Sequence, residues 1–236
     1  MIVPLILSIL SIAAALVYVK MVWRRKAICF RGRHVVITGG SKGIGKAFAF
    51  EVVKAGGSVT IIARNMEALE KTKMELLKTV GSHDTQKVMA FSVDVSRDAN
   101  SLDQVICEAE DEAGPVYMLI NCAGTSMASK FEDTQAEEFK RMFEINVMGS
   151  VHTTKVVISA MKERKEGVVI FVSSIAGLAG LFGYSAYSAS KFAVVGMAEA
   201  LSMEVSCHNI KVCVCFPPDT DTPGFEEEEK TKVGQE

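Results

Sequence analysis

His34-Val35-Val36-Ile37-Thr38 runs without a break into Gly39-Gly40-Ser41-Lys42-Gly43-Ile44-Gly45, and an apolar-periodic stretch continues to Ala55. The β-branched run reads as a buried strand, and the periodicity over Ile44 to Ala55 reads as a helix. Glycines at 39, 43 and 45 allow a tight turn, let backbone N–H groups approach a pyrophosphate, and permit close packing at the start of a helix whose dipole favours an anion. The spacing is Gly-x-x-x-Gly-x-Gly, not the commoner G-x-G-x-x-G, and a glycine-rich turn alone is as often ligand-free as not. Its place between a strand and a helix makes Gly39, Ser41, Lys42, Gly43, Ile44 and Gly45 a candidate dinucleotide site.

Outward from that turn, short β-branched runs alternate with longer amphipathic ones. Strands are predicted at His34 to Thr38, Ser58 to Ala63, Lys87 to Asp94, Val116 to Asn121, Gly167 to Ser173 and Ile210 to Phe216. Helices are predicted at Ile44 to Ala55, Met66 to Thr79, Ala99 to Ala113, Gln135 to Met161 and Ala186 to Ser206. This alternation implies an α/β fold, a Rossmann-type doubly wound parallel sheet with helices on both faces. Ligands of such sheets sit at the carboxyl ends of the strands. The second strand ends at Ala63-Arg64-Asn65, where NAD-specific proteins place a carboxylate for the ribose hydroxyls. That carboxylate is missing; Arg64 and Asn65, with Lys42 across the turn, suit the 2′-phosphate of NADP, so NADPH is the expected cofactor. The plain alternative is an Arg that merely opens a solvated helix. Asp94-Val95 and Asn121-Cys122-Ala123-Gly124 end the third and fourth strands, where a carboxylate meets adenine and small residues admit a cofactor, although each also reads as an ordinary turn.

The chain has 236 residues, 49% hydrophobic and 23% charged, enough for one sizeable domain. Residues 1–26 hold four basic and no acidic residues, which leaves 22 Lys and Arg against 28 Asp and Glu, a net charge of −6. A phosphate-backbone binder is excluded on that balance, and no nucleic-acid partner is expected. Met1 to Val19 is uncharged and is followed at once by Lys20, Arg24, Arg25 and Lys26. A bilayer-spanning helix needs roughly 20 residues. A cleaved signal would carry its basic residues first, so a retained anchor with a cytosolic main domain is favoured over cleavage near Ala13 to Ala15. The expected organisation is an anchor over 1–23, a basic linker over 24–31, the α/β domain over 32–225 and a solvated acidic tail over 226–236. The six cysteines form no CxxC pair and no metal-ligand spacing, so no metal is expected; Cys213 and Cys215 are expected as reduced core neighbours.

Tyr187 and Lys191 lie four apart at the start of a helix, on one face. A nearby ammonium favours phenolate and is expected to lower the tyrosine pKa. Tyr-x-x-x-Lys also occurs by chance on surface helices. Ser173 and Ser174 end the fifth strand, either able to bond a carbonyl oxygen, and Asn146 is an awkward helix-interior residue unless its amide has work there.

The combination TGGSKGIG at 38–45, NCAG at 121–124, Asn146, Ser174 and Tyr187-Ser-Ala-Ser-Lys191 resembles the classical short-chain dehydrogenases/reductases over residues 32–225. NCAG stands where NNAG is usual. A narrower resemblance, carried by the anchor, Gly180 to Tyr187 and Pro217-Pro-Asp-Thr-Asp-Thr-Pro-Gly224, is to endoplasmic-reticulum members of that family that reduce a long-chain sphingoid ketone. The resemblance implies that Tyr187 donates a proton, Lys191 lowers its pKa and binds the nicotinamide ribose, Ser174 orients the ketone and Asn146 holds a relaying water. Pro217, Thr220 and Thr222 would cover the nicotinamide end, in a catalytic domain that faces the cytosol from the endoplasmic reticulum membrane. Family members continue past the Pro-Gly segment with further helices and a seventh strand, so the chain reads as a C-terminally truncated form. Three classes remain open: an active anchored NADPH reductase, a silent NADPH-binding form associating with full-length subunits or as a homo-oligomer, and an anchored steroid or retinoid dehydrogenase.

Overall fold

The computed structural model describes residues 30–81 and 85–229. The predicted anchor over 1–23, most of the linker over 24–31 and residues 230–236 of the tail lie outside the described residues. Six strands form one sheet among them: β1 (His34–Thr38), β2 (Ser58–Ala63), β3 (Val88–Ser92), β4 (Val116–Asn121), β5 (Gly167–Val172) and β6 (Ile210–Cys215). The order is β3-β2-β1-β4-β5-β6, every neighbouring pair parallel. The connecting helices are α1 (Gly43–Lys54), α2 (Met66–Leu77), α3 (Ala99–Ala113), α4 (Ala136–Phe143), α5 (Gly149–Arg164) and α6 (Ser185–Val205), followed by a short α7 (Pro223–Glu229).

Central strands are apolar on both faces because both faces are covered. Val35, Val36 and Ile37 of β1 are all fully buried. On one face Val35, Ile37, Ile61 and Ile120 pack with Val52 of α1 and with Leu69 and Leu76 of α2. On the other, Val36, Ile62, Leu119 and Phe171 pack with Leu102 of α3, Met161 of α5 and Val194 of α6. The strand order reverses at β1, so the carboxyl ends of β1 and β4 flank a switch-point crevice, with Thr38 in register with Asn121.

Three details differ from the sequence reading. The single helix expected from Gln135 to Met161 is interrupted by a π-helical turn, Glu144–Met148. The wider turn aims the Asn146 side chain inward. Cys213 is exposed, as are Cys107 and Cys207. Here α6 covers the Val212 and Val214 side of β6, the outermost strand, and leaves Cys213 on its open side. Glu226 to Glu229, expected as the start of an irregular tail, belong to the helix α7.

Candidate active site

The cofactor end of the crevice is built from backbone. Thr38 Oγ1 accepts the N–H groups of Cys122 and Ala123, each at 3.0 Å, drawing the ends of β1 and β4 together. Gly39 sits at φ +68, and a Cβ there would stand 2.9 Å from Ala123 Cα and N. A Cβ on Gly45 would run into the Gly39 carbonyl oxygen. A phosphate approaching this loop therefore meets main chain, which fits a dinucleotide. Thr222 folds back over the loop, its side chain 3.3 Å from where a Gly43 Cβ would begin, and Thr222 Oγ1 accepts the Phe225 N–H. Pro217 is half-buried in the same segment, whereas Thr220 Oγ1 turns to the Pro218 carbonyl.

A cavity of about 400 Å³ opens beside the loop, lined by Ser41, Lys42, Lys46, Lys71, Thr72 and Asp221. Lys46 is paired with Glu75 at 2.7 Å. Ser41 is held by its carbonyl, which accepts from Thr72 Oγ1, and Ile44 is half-buried at the start of α1. At the end of β2, Asn65 caps α2 by accepting the Ala68 N–H at 2.9 Å, leaving Arg64 as the cation at that strand end. Burial would raise the Asp94 carboxyl, but two hydrogen bonds from Ser96 and the charges of Arg64 and Arg97 prevail and hold it below its ordinary range. Val95 is buried, its carbonyl 3.0 Å from His152 Nδ1. The Asn121 amide turns away from the crevice, bonded to Thr153 and Thr154 of α5.

At the other end α6 presents Tyr187 and Lys191 on one face, as their spacing predicts. The two serines are separated by the tertiary structure. Ser173 Oγ is buried and donates to the Lys191 carbonyl at 3.1 Å, while Ser174 turns out to hydrogen-bond Tyr187. Asn146 is 2% exposed. Its Oδ1 accepts the Thr125 N–H at 2.8 Å, and Nδ2 donates to the Thr125 carbonyl at 3.0 Å and to Ser190 Oγ at 2.9 Å. Ser190 Oγ in turn donates to the Tyr187 carbonyl at 2.7 Å. Gly124 lies against both amide and amine: a Cβ there would be 3.1 Å from Asn146 Oδ1 and 3.5 Å from Lys191 Nζ.

Burial dominates the electrostatics. Lys191 Nζ donates to the Val172 carbonyl at 3.0 Å and stands 5.6 Å from the Tyr187 ring centroid; desolvation lowers its pKa to about 8. Tyr187 moves opposite to the sequence expectation. Desolvation raises its pKa, the Ser174 bond opposes this, and the carboxylates of Glu228 and Asp219 add to the rise. Cys122, in the departure from NNAG, is pushed up to about 12 by burial and is a neutral thiol. The arrangement offers a phenol as proton donor, a hydroxyl beside it and a cation behind it. Sequence reasoning missed Thr38, Thr125, Ser126, Ser190 and Glu228. Each acts through a partner distant in sequence and leaves no local pattern of its own, although Thr38 opens the TGGSKGIG motif and Ser190 lies within the Tyr187-to-Lys191 motif.

Comparison with known proteins agrees with this geometry. The family model described as short chain dehydrogenase matches residues 33–233. The chain is 48% identical to a 3-dehydrosphinganine reductase of Danio rerio and to a 3-ketodihydrosphingosine reductase of Mus musculus, covering 88% of this chain and 62% of each relative. A 3-ketodihydrosphingosine reductase of Bos taurus is 48% identical over 95% of this chain and 68% of its own length. The chain thus spans somewhat under two thirds of the first two relatives. Among solved structures, a levodione reductase superposes with a TM-score of 0.80 at 27% identity, over 86% of this chain and 77% of that one. L-sorbose reductase from Gluconobacter frateurii, complexed with NADPH and L-sorbose, gives 0.77 at 27% identity, over 84% and 73%.

Proposed function

The chain belongs to the short chain dehydrogenase family, and from that premise we propose that it reduces 3-ketodihydrosphingosine to dihydrosphingosine with NADPH. The observation that carries the reading is the clustering of Ser174, Tyr187, Lys191 and Asn146 beside the backbone cradle of Gly39 to Gly45, in a chain 48% identical to reductases of that name. The bound cofactor supplies the hydride that the ketone carbon accepts.

Ser174 Oγ orients and polarises the carbonyl oxygen, and the Tyr187 hydroxyl gives that oxygen its proton as the alkoxide forms. Lys191 is the cation nearest the phenolate left behind, its amine 5.6 Å from the Tyr187 ring centroid and held by the Val172 carbonyl. Its depressed pKa keeps it near the working pH and able to exchange protons. Asn146 fixes the Thr125 backbone and, through Ser190, the first turn of α6, so it acts as a positioning residue as well as a candidate for holding a relaying water. Arg64 and Lys42 support the choice of NADPH over NADH, because neither strand end nor loop offers a carboxylate to the ribose 2′ position. The uncharged Met1 to Val19 segment and the cations after it support anchoring in the endoplasmic reticulum membrane with this domain in the cytosol, where a long-chain ketone is at hand.

The test is direct. The purified chain in detergent, given NADPH and the long-chain ketone, consumes NADPH in step with dihydrosphingosine formation, and Tyr187→Phe abolishes both. Tight NADPH binding without Tyr187-dependent turnover sinks the reading and leaves a binding protein. Arg64→Asp is expected to shift preference from NADPH towards NADH.

A further inference from the structure

A carboxylate from the C-terminal helix acts on the candidate proton donor. Glu228 of α7 accepts a hydrogen bond from Ser126 Oγ, in the loop after β4, at 2.5 Å. It also bonds the Tyr184 side chain, in the loop before α6. These two loops are joined a second time, by the Ser129 N–H to the Gly183 carbonyl at 2.7 Å. The Tyr184 ring lies 6.1 Å from that of Tyr187. Glu228 is half-buried and set one aromatic ring away from the proton donor.

We propose that Glu228 is the specificity residue for the substrate's head, its carboxylate binding the ammonium that a sphingoid ketone carries on the carbon next to the carbonyl. The inference rests on the substrate reading above and deepens it. A negative charge here opposes catalysis on a neutral ketone, because it disfavours the Tyr187 phenolate. A 2-amino ketone brings a cation that offsets this penalty. With the carbonyl oxygen at Ser174 and Tyr187, the ammonium is borne by the adjacent carbon, on the side of the site where Tyr184 and Glu228 stand one ring beyond Tyr187. Asp219, which also acts on Tyr184 and Tyr187, adds to the attraction from the exposed side. The loop carrying Tyr184 exposes Leu178, Leu181 and Phe182, an apolar lip suited to a long alkyl chain. Steroids and retinoids match the lip but not the carboxylate.

The experiment compares the full chain with Glu228→Gln, an isostere that can still accept from Ser126, and with Glu228→Asp. Each is assayed with NADPH on 3-ketodihydrosphingosine and on the same ketone bearing hydrogen in place of the amino group, with thermal unfolding as a folding control. The unmodified chain should prefer the amino ketone. In Glu228→Gln the ratio of kcat/KM values, amino over des-amino, should fall about 10- to 100-fold, the loss on the amino ketone lying mainly in KM, with Glu228→Asp intermediate. An unchanged ratio, whether from no effect or from equal losses on both ketones, overturns the proposal; equal losses would make Glu228 a brace for Tyr184. If the unmodified chain reduces neither ketone, the substrate reading fails separately. The proposal is then decided by dihydrosphingosine binding, followed by tyrosine fluorescence: weaker binding in Glu228→Gln supports it, and equal binding overturns it.

Discussion

Asn146→Ala separates a positioning role from a purely chemical one. The amide is buried and makes three hydrogen bonds, two of them clamping the N–H and the carbonyl of Thr125. Truncation leaves both Thr125 groups without those partners, while Ser190 Oγ keeps its bond to the Tyr187 carbonyl. Each orphaned group costs about 1–3 kcal/mol. Partial rehydration through the crevice lowers the total, giving a destabilisation of about 2–5 kcal/mol. In a domain of this size, 1 kcal/mol corresponds to a Tm change of about 2–4 °C. The variant should therefore melt about 4–20 °C lower, with an unchanged denaturant m-value and weaker NADPH binding, since Gly124 and Ala123 belong to the same loop. Calorimetry and urea titration measure this directly. Full loss of turnover with less than about a 2 °C change in Tm would refute the clamp and leave Asn146 acting only on the reacting groups.

Three further outcomes follow from other parts of the structure. Gly39→Ala and Gly32→Ala impose nearly the same positive φ, but only the first meets fixed main chain, at Ala123; it should cost about 1–3 kcal/mol more in thermal unfolding and abolish NADPH binding, whereas Gly32→Ala should leave binding intact. His34 is fully buried between the Gly114 carbonyl and Thr60 Oγ1, and burial lowers its pKa. The unfolded chain then takes up a proton that the folded one refuses, so its stabilising contribution is complete above about pH 6.5 and is lost as the pH falls through the folded pKa. Urea midpoints of His34→Gln across this range should be flatter than those of the unmodified chain. Lys191, lowered from 10.5 to about 8, destabilises the fold at neutral pH and ceases to do so as the pH rises between those values. Lys191→Met should remove that alkaline rise in Tm while abolishing turnover.

How much was legible in sequence differs by element. The His34–Thr38, Ser58–Ala63 and Val116–Asn121 strands and the Ala99–Ala113 helix match their predicted bounds, and the other boundaries move by a few residues at most, because hydrophobic periodicity is written locally. The exception is the run from Gln135 to Met161. Its apolar pattern is helical throughout, and the π-helical turn at Glu144–Met148 depends on what Asn146 finds beneath it in Thr125 and Ser190. The Tyr187 to Lys191 spacing placed both groups correctly but misjudged the Tyr187 pKa. The spacing reports proximity, whereas burial and the orientation of Lys191 towards Val172 set the sign.

The sequence by itself determined the doubly wound sheet, the glycine turn after β1 and the pairing of Tyr187 with Lys191, since each arises from residues within one turn or one strand of each other. Only the tertiary structure decided which serine faces Tyr187, where the Asn121 amide points and that Glu228 is docked at the active site. Those outcomes rest on contacts such as Thr38 with Ala123 and Ser126 with Glu228, 85 and 102 residues apart. A residue's neighbours at such separations are fixed by how the helices pack across the sheet, and the chain carries no local sign of them until that packing is complete.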